Sequence, residues 1–247
     1  MSKLALIQEY LKAEKIDGWL LYAFRDQNPI ALSVSGLPSA GSRRWFLWIP
    51  SAGRPVWIAH RIEKSNFIDL PADLQGDVKL YVSWQEIEAL LKSTLRVGEK
   101  PAEYILMEYS PENAIPYVSR VDAGIMELVK RNAGVEIASS ADMVQIAVAT
   151  INPEHLAGQK RAADLCLEVK DAAFAWIGEQ LRSDTPVTEY DAQQQVAKLF
   201  SEAGMDPLSS IVAVNANAAD PHYFPSEKLH SRIKKGDVVL IDLWNRE

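Results

Sequence analysis

The chain has 247 residues, a formal net charge of −7 and 48% hydrophobic residues. It is long enough for one large or two ordinary domains, and its hydrophobic content is that of a globular protein and not of a disordered chain. The acidic balance and the absence of long basic runs argue against nucleic acid as a partner, and no stretch approaches the ~18 consecutive apolar residues of a membrane span.

The first 140 residues alternate between helical and strand patterns. Helical spacing of apolar residues over 3–15 precedes a short apolar run at 19–22, which predicts a helix followed by a buried strand. Two β-favouring segments flank a turn at 50–54 and predict a hairpin. The predicted elements are helices at 3–15, 61–69, 84–95 and 124–131, and strands at 19–22, 44–49, 55–59, 78–82, 104–109 and 135–137. This alternation is typical of a compact α/β domain.

Aromatic residues are concentrated in the predicted hairpin. Trp45, Trp48 and Trp57 could form a binding face, but their alternation along two strands favours a hairpin core with a domain or dimer contact. His60 ends the second of these strands, and we expect it to be structural or exposed to solvent.

Long helical patterns replace the alternation after residue 140. We therefore predict an N-terminal domain of residues 1–150 and a second domain of residues 151–247. Asn152-Pro153 opens the longest helix, and Thr188 is predicted to cap the next one in a near capping box with Asp191. The predicted elements are helices at 142–149, 153–182 and 188–200, and strands at 209–213 and 238–243. Two helices and about two strands look like half of a fold.

The N-terminus and the cysteine content predict the location. The first ten residues carry charges within their apolar stretch and lack a small-residue cleavage site, which indicates an amphipathic helix and not a signal peptide. The single Cys166 cannot form an internal disulfide, and its helical setting favours a core thiol over a nucleophile. Both features predict a cytoplasmic protein.

A candidate active site lies near the C-terminus. Asp242 ends the apolar strand 238–242, and His222 follows Pro221, 20 residues upstream. Hard divalent metals prefer carboxylate oxygens, and hydrolysis needs an imidazole to move protons or orient the substrate. The pattern suits a metal-dependent hydrolase, although each residue alone is more often a strand-end carboxylate or a loop histidine.

Other polar residues around this segment have simpler explanations. Asn215 and Asn217 indicate either a shaped pocket loop or ordinary turn formers. We expect His155, in the first turn of a helix, to be structural or exposed, and His230, in a polar loop, to be exposed.

Three segments of the chain resemble the pita-bread metallopeptidases, the family of Xaa-Pro aminopeptidases, prolidases, methionine aminopeptidases and the metal-free creatinase. The segments are Tyr109-Ser110-Pro111 with Ile115-Pro116 and Val121-Asp122-Ala123-Gly124, the helix pair over 153–204, and Asn215 through Asp242. The last is the most specific, because it contains Pro221-His222-Tyr223 and the strand that ends in Asp242. Together the segments extend the resemblance over essentially the whole chain.

The resemblance implies an α/β fold, with a creatinase-type N-terminal α/β domain followed by the first part of an α+β pita-bread catalytic domain. It implies that His222 is catalytic and lines the substrate pocket, that Asn215 also contacts the substrate, and that Asp242 is the first of five metal ligands. The other ligands of the family, an Asp, a His and two Glu, have no counterpart in this sequence. Trp244 also stands where prolyl members often have a glycine.

The function implied is that of an Xaa-Pro aminopeptidase or prolidase-like metallopeptidase, which cleaves the bond before proline in small peptides. We expect a homodimer that uses two divalent metal ions, Mn, Co or Zn. This chain is expected to be an N-terminal portion of it, without a stable metal pair and inactive by itself. The alternatives are a non-catalytic binding or dimerisation module and a metal-free creatinase-like hydrolase that shares His222.

The loop after the first strand has two explanations of equal weight. In prolyl members of the family this loop can reach the active site of a neighbouring subunit, which would involve Arg25 and Asp26. The alternative is an ordinary exposed loop with a helix start at Pro29.

Overall fold

The computed structural model describes residues 2–208 and 210–246. The chain folds into two compact units, one that ends at Thr150 and one that begins at Ile151. Among the helices of the described residues, none combines the length and the hydrophobicity needed to cross a membrane.

The first unit is built around a six-stranded mixed sheet. Its helices are α1 Lys3–Ala13, α2 Pro29–Ser35, α3 Trp84–Thr94, α4 Ala123–Ala133 and α5 Ala141–Ala147. Its strands are β1 Gly18–Ala23, β2 Trp45–Pro50, β3 Val56–His60, β4 Asp77–Tyr81, β5 Arg96–Val97, β6 Lys100–Pro101, β7 Tyr104–Met107 and β8 Glu136–Ser139. The sheet order is β4-β3-β2-β1-β7-β8, in which β2 runs against its neighbours, and β5 pairs with β6 separately.

Alternate residues of β1 enter two hydrophobic cores, one on each face of the sheet. Trp19 and Leu21 pack in the core that includes residues of α1, α2 and α5, whereas Leu20 and Tyr22 pack in the core that includes residues of α3 and α4. Because both faces are covered, all six residues of β1 are buried. The expected α/β architecture is confirmed.

The tryptophans of the hairpin are core residues. Trp45, Trp48 and Trp57 are at most 1% exposed, and β2 and β3 pair antiparallel. The indole nitrogens of Trp48 and Trp57 donate hydrogen bonds to the carbonyls of Arg96 and Leu74, both at 3.0 Å. The prediction of a hairpin core is confirmed.

The helix predicted at 61–69 is instead a 3-10 helix, Arg61–Phe67. His60 caps it, because its Nδ1 accepts a hydrogen bond from the Ile62 N–H at 3.2 Å. The Nε2 then carries the ring proton and donates to the Val82 carbonyl at 3.1 Å. Only one residue of the segment is buried, so an α-helix there would gain little from packing. The structural role predicted for His60 is confirmed.

The loop after β1 leads into α2, which begins at Pro29. Asn28 is 1% exposed and caps α2, its Oδ1 accepting two backbone N–H groups of the first turn at 3.1 Å. Arg25 and Asp26 adopt φ angles of 52° and 54°, and Asp26 Oδ1 accepts the Ala40 N–H at 3.1 Å. The loop is thus fixed within its own unit, and contact with a neighbouring subunit stays a prediction.

The second unit has two long helices and short antiparallel strand pairs. Its helices are α6 Pro153–Arg182 and α7 Glu189–Glu202. Its strands are β9 Val187–Thr188, β10 Asp206–Pro207, β11 Ile211–Val214, β12 Arg232–Ile233, β13 Val239–Asp242 and β14 Asn245–Arg246. They pair as β9 with β12, β10 with β14, and β11 with β13. The sequence predicted about two strands, because strands of two residues are too short to show a period of two.

The helices α6 and α7 pack against each other. Val169 and Ala173 of α6 meet Val196 and Phe200 of α7 in one cluster, and Cys166 is half-buried beside it. Burial raises the pKa of the Cys166 thiol, which keeps it protonated and weakly nucleophilic. The prediction of a core thiol is confirmed.

The N-terminus of α7 carries the predicted capping box. Thr188 Oγ1 accepts the Asp191 N–H at 3.1 Å, and Asp191 Oδ2 accepts the Thr188 N–H at 3.0 Å. We expect Thr188→Ala to lower the free energy of unfolding by about 1 kcal/mol, measured by urea denaturation. Thr188→Ser keeps the hydroxyl group and serves as the control. Equal losses in both variants would assign the effect to the methyl group and contradict a capping role.

Candidate functional site

The pairing of β11 with β13 positions two of the predicted site residues. Asp242, the last residue of β13, is exposed and pairs with Ile211. Asn215 follows the other end of β11, where Val214 pairs with Val239. Three residue steps separate these ends, roughly 10 Å along the strand. The structure therefore places Asn215 and Asp242 at opposite ends of one strand pair.

Asn215 fastens the end of β11 to the turn before β13. Its φ of 48° is a left-handed conformation that asparagine tolerates better than most residues. Its Oδ1 accepts the Val238 N–H at 3.0 Å, and its Nδ2 donates to Asp237 Oδ1 at 2.8 Å. The hydrogen bonds from Asn215 and from the Lys234 N–H hold the pKa of Asp237 below its usual range. Contact of Asn215 with a substrate stays a prediction.

His222 lies on an exposed loop, residues 220–231, which we call the His222 loop. Its backbone N–H donates to Asp220 Oδ1 at 3.0 Å, and the residue itself is exposed. The next residue, Tyr223, is half-buried. His155 and His230 are exposed, as predicted. His222 thus lies at the surface, next to a partly buried tyrosine.

A buried carboxylate, Glu189, organises the His222 loop. Glu189 is the first residue of α7 and is 0% exposed. Its Oε1 accepts hydrogen bonds from the Val214 N–H at 2.7 Å and from Asn217 Nδ2 at 3.0 Å. Its Oε2 accepts the Ser231 N–H at 2.6 Å and the Tyr223 hydroxyl. One side chain therefore joins the end of β11 to two points of the His222 loop, Tyr223 and Ser231.

Hydrogen bonding keeps Glu189 ionised despite its burial. Burial raises its pKa, but the hydrogen bonds led by Tyr223 and Asn217 lower it by more, so that the pKa lies below its usual range. Burial and the Glu189 carboxylate both raise the pKa of the Tyr223 hydroxyl. The proton therefore stays on the tyrosine, and the negative charge stays at the N-terminus of α7, where the helix dipole favours it.

Sequence reasoning missed Glu189. A glutamate in the first turn of a helix is ordinarily explained by capping or by the helix dipole. The backbone groups that bind it lie 25 and 42 positions away in the chain, beyond any local pattern. The one local sign is that Asp191 already completes the capping box, which leaves Glu189 without a capping role.

The described residues do not fit a pair of divalent ions. Within residues 2–208 and 210–246, no group of three or more His, Cys, Asp or Glu side chains could hold a metal ion. Asp242 is a single exposed carboxylate, whereas divalent ions take several protein ligands. Both oxygens of Glu189 are already occupied by hydrogen-bond donors.

One comparison with known proteins identifies a family, and another identifies the fold. Residues 82–246, more than half of the chain, match Metallopeptidase family M24. The prolidase from Pyrococcus horikoshii OT3 superposes with a TM-score of 0.61 at 19% identity. Dipeptidase PepE from Mycobacterium ulcerans gives a TM-score of 0.68 at 18% identity, and the Xaa-Pro dipeptidase from Bacillus anthracis gives 0.60 at 17% identity.

Each of these superpositions covers 98% of this chain, but only 60%, 59% and 60% of the respective matched chains. The chain thus spans about three fifths of the length of the structures that it matches. At these identities the likeness establishes the fold. No curated protein sequence matches the chain.

Proposed function

Because this chain belongs to metallopeptidase family M24, we propose that it forms part of an Xaa-Pro aminopeptidase or prolidase-like enzyme that cleaves the bond before proline in small peptides. The observation that carries the proposal is the family match over residues 82–246, which includes Pro221-His222-Tyr223 and the strand that ends in Asp242. The prolidase and the Xaa-Pro dipeptidase among the structures of the same fold support proline-containing peptides as substrates.

In this proposal His222 is the catalytic residue of the described chain. It donates a hydrogen bond to the substrate or to the tetrahedral intermediate at the scissile carbonyl. Glu189 supports this role, because its hydrogen bond to Tyr223 fixes the residue next to His222. Asn215 is proposed to contact the substrate, and Asp242 is proposed to be a metal ligand.

The complete enzyme is proposed to use two divalent ions, Mn, Co or Zn. Such ions lower the pKa of a bound water and polarise a carbonyl. The described residues offer Asp242 without the further ligands that a pair requires. We therefore propose that this chain is inactive by itself. We also propose that the enzyme is a homodimer and that it lies in the cytoplasm. The single free Cys166 fits the reducing conditions of that compartment.

The 247-residue chain is expected to show no Mn²⁺-dependent cleavage of Gly-Pro or Ala-Pro, because residues 2–208 and 210–246 contain no group of three or more His, Cys, Asp or Glu side chains that could hold an ion. Release of free proline measures the activity, and calorimetric titration with Mn²⁺ measures metal binding. A chelator-treated sample is the control. Turnover that requires Mn²⁺ and disappears with chelator would contradict the proposed inactivity.

The protein isolated from its own cells tests the function itself. Its intact mass is compared with the 27.5 kDa of this chain, and its cleavage of Ala-Pro is compared with that of Ala-Ala. We expect chelator-sensitive cleavage of Ala-Pro, lowered by about 10²-fold or more in His222→Ala. Cleavage insensitive to chelator would favour a creatinase-like hydrolase. No cleavage by a species of 27.5 kDa would favour a binding or dimerisation module.

A further inference from the structure

A cavity of about 720 Å³ opens at one end of the strands of the six-stranded sheet. All the residues that line it belong to the first unit. The strands β1, β3 and β4 run in the same direction, because β2 pairs antiparallel with both β1 and β3, and β3 pairs parallel with β4. The cavity is lined by residues at their carboxyl ends, among them Tyr22, His60 and Tyr81. Ligands of open α/β sheets bind outside the carboxyl ends of strands, in cavities of about 300–1,000 Å³.

Two arginines give the cavity a positive charge. Arg43 and Arg44 precede β2 and line the cavity, and neither has an ion-pair partner among the residues that the structure describes. The Tyr81 hydroxyl donates a hydrogen bond to the Arg44 carbonyl at 2.7 Å, which places the residues before β2 beside it, and burial raises the pKa of this hydroxyl. Asp122 is the one acidic residue of the lining, and its Oδ1 caps α4 by accepting the Ile125 N–H at 3.0 Å.

The other ionisable groups of the lining are neutral. His60 accepts a hydrogen bond at Nδ1 and donates one at Nε2, which is the pattern of a neutral imidazole. Burial raises the pKa of Tyr22 to about 12, so that its phenol keeps its proton at neutral pH. Two arginines and one aspartate therefore leave the lining with a single net positive charge.

Exposed apolar side chains form part of the wall. Trp84, Val82 and Phe24 line the cavity and are 58%, 54% and 39% exposed. Large apolar groups with this exposure, gathered around a concave site, offer surface that an apolar ligand can cover. Trp84 is the first residue of α3, so the positive end of that helix dipole lies at the same place.

We propose that this cavity binds a small organic monocarboxylate whose body is aromatic or apolar. The guanidinium groups of Arg43 and Arg44 match the planar geometry of a carboxylate, and one negative charge matches the net charge of the lining. The apolar body covers Trp84 and Val82. The site belongs to the first unit alone and does not depend on the proposed peptidase function.

Calorimetric titration of the 247-residue chain with N-acetyl-L-phenylalanine tests the site. N-acetyl-L-phenylalaninamide has the same aromatic body without the negative charge, and we expect it to bind at least about tenfold more weakly than the acid. Inorganic phosphate is expected not to displace the acid at equal concentration. Equal affinity for acid and amide, displacement by phosphate, or no saturable binding of the acid at millimolar concentration would each overturn the proposal.

Matched variants assign the binding to this cavity. The double variant Arg43→Gln, Arg44→Gln is expected to bind the acid about tenfold more weakly and to leave the affinity for the amide unchanged. Arg54→Gln, in the exposed turn between β2 and β3, is the control and binds as the unaltered chain does. Trp84→Ala weakens the binding of acid and amide alike, whereas Trp84→Phe keeps it. Unchanged binding of the acid by the double variant, with its fold verified by circular dichroism, would refute the site.

Discussion

Glu189→Ala is expected to lower the free energy of unfolding of the second unit by about 3–5 kcal/mol. The Glu189 carboxylate accepts hydrogen bonds from backbone and side-chain groups that are buried or half-buried. Alanine leaves these donors without an acceptor, and each unsatisfied donor costs about 1–3 kcal/mol, partly offset where water enters. Urea denaturation followed by circular dichroism measures the loss.

Glu202→Ala is the matched control, since Glu202 lies at the other end of the same helix and is exposed. It forms an ion pair with Lys198 at 3.7 Å, which is worth no more than about 0.5 kcal/mol. Similar losses in Glu189→Ala and Glu202→Ala would contradict an organising role for Glu189. Glu189→Gln is expected to lose most of the stability that Glu189→Ala loses, because the glutamine amide nitrogen would face groups that are themselves hydrogen-bond donors.

The effect of Glu189 also has a defined pH dependence. Its pKa in the folded chain lies below the ordinary value of 4.5, so the folded state favours the ionised form. The stabilisation is therefore fully present above pH 4.5 and is lost as the pH falls through 4.5 and then through the folded pKa. The difference in stability between the unaltered chain and Glu189→Ala should shrink in acid.

Elements with several turns or with clear alternation could be predicted from the sequence. The helix predicted at 153–182 is α6 Pro153–Arg182, and the helix predicted at 84–95 is α3 Trp84–Thr94. A proline in the first turn of α6 marks its start, and apolar spacing marks the buried face of α3. The segment 61–69 lacked such a face, and its 3-10 geometry depends on a cap from His60 that periodicity does not reveal.

The candidate site was predictable only where its chemistry is local. Asp242 at the end of an apolar strand and His222 after a proline could be proposed as site residues from their neighbours in the chain, and their roles stay predictions. The Glu189 network could not, because tertiary packing brings to Glu189 donors that lie 25, 34 and 42 positions away in the chain. The side chain of Asn215 makes two hydrogen bonds to the turn before β13. The sequence had already allowed Asn215 to be a turn former.

A second buried carboxyl, Glu108, is expected to make the first unit less stable at neutral pH than in mild acid. Glu108 is 0% exposed, and its oxygens accept hydrogen bonds from Trp19 Nε1 at 2.6 Å and from Asn28 Nδ2 at 2.8 Å. Burial raises its pKa to about 7, although these hydrogen bonds and those from backbone N–H groups act in the opposite direction. The side chain thus takes up a proton more readily in the folded chain than in the unfolded one.

The direction of the effect follows from the two pKa values. Between the ordinary value of 4.5 and the folded value of about 7, the folded state holds a proton that the unfolded state releases. The contribution of Glu108 is therefore fully present below pH 4.5 and is lost as the pH rises through 7. A pKa difference of about 2.5 units corresponds to a loss of about 3 kcal/mol.

Chemical denaturation of the unaltered chain and of Glu108→Gln, repeated from pH 4.5 to 8, measures the contribution of Glu108 to the free energy of unfolding. Glutamine does not titrate, and its amide NH₂ would face the Trp19 or the Asn28 donor, so the variant should be less stable than the unaltered chain in acid. This difference in the free energy of unfolding should shrink by about 3 kcal/mol as the pH rises. Glu136→Gln, on the neighbouring strand β8 and exposed, is the control and should follow the unaltered chain throughout. Parallel curves for the unaltered chain and Glu108→Gln would contradict the raised pKa.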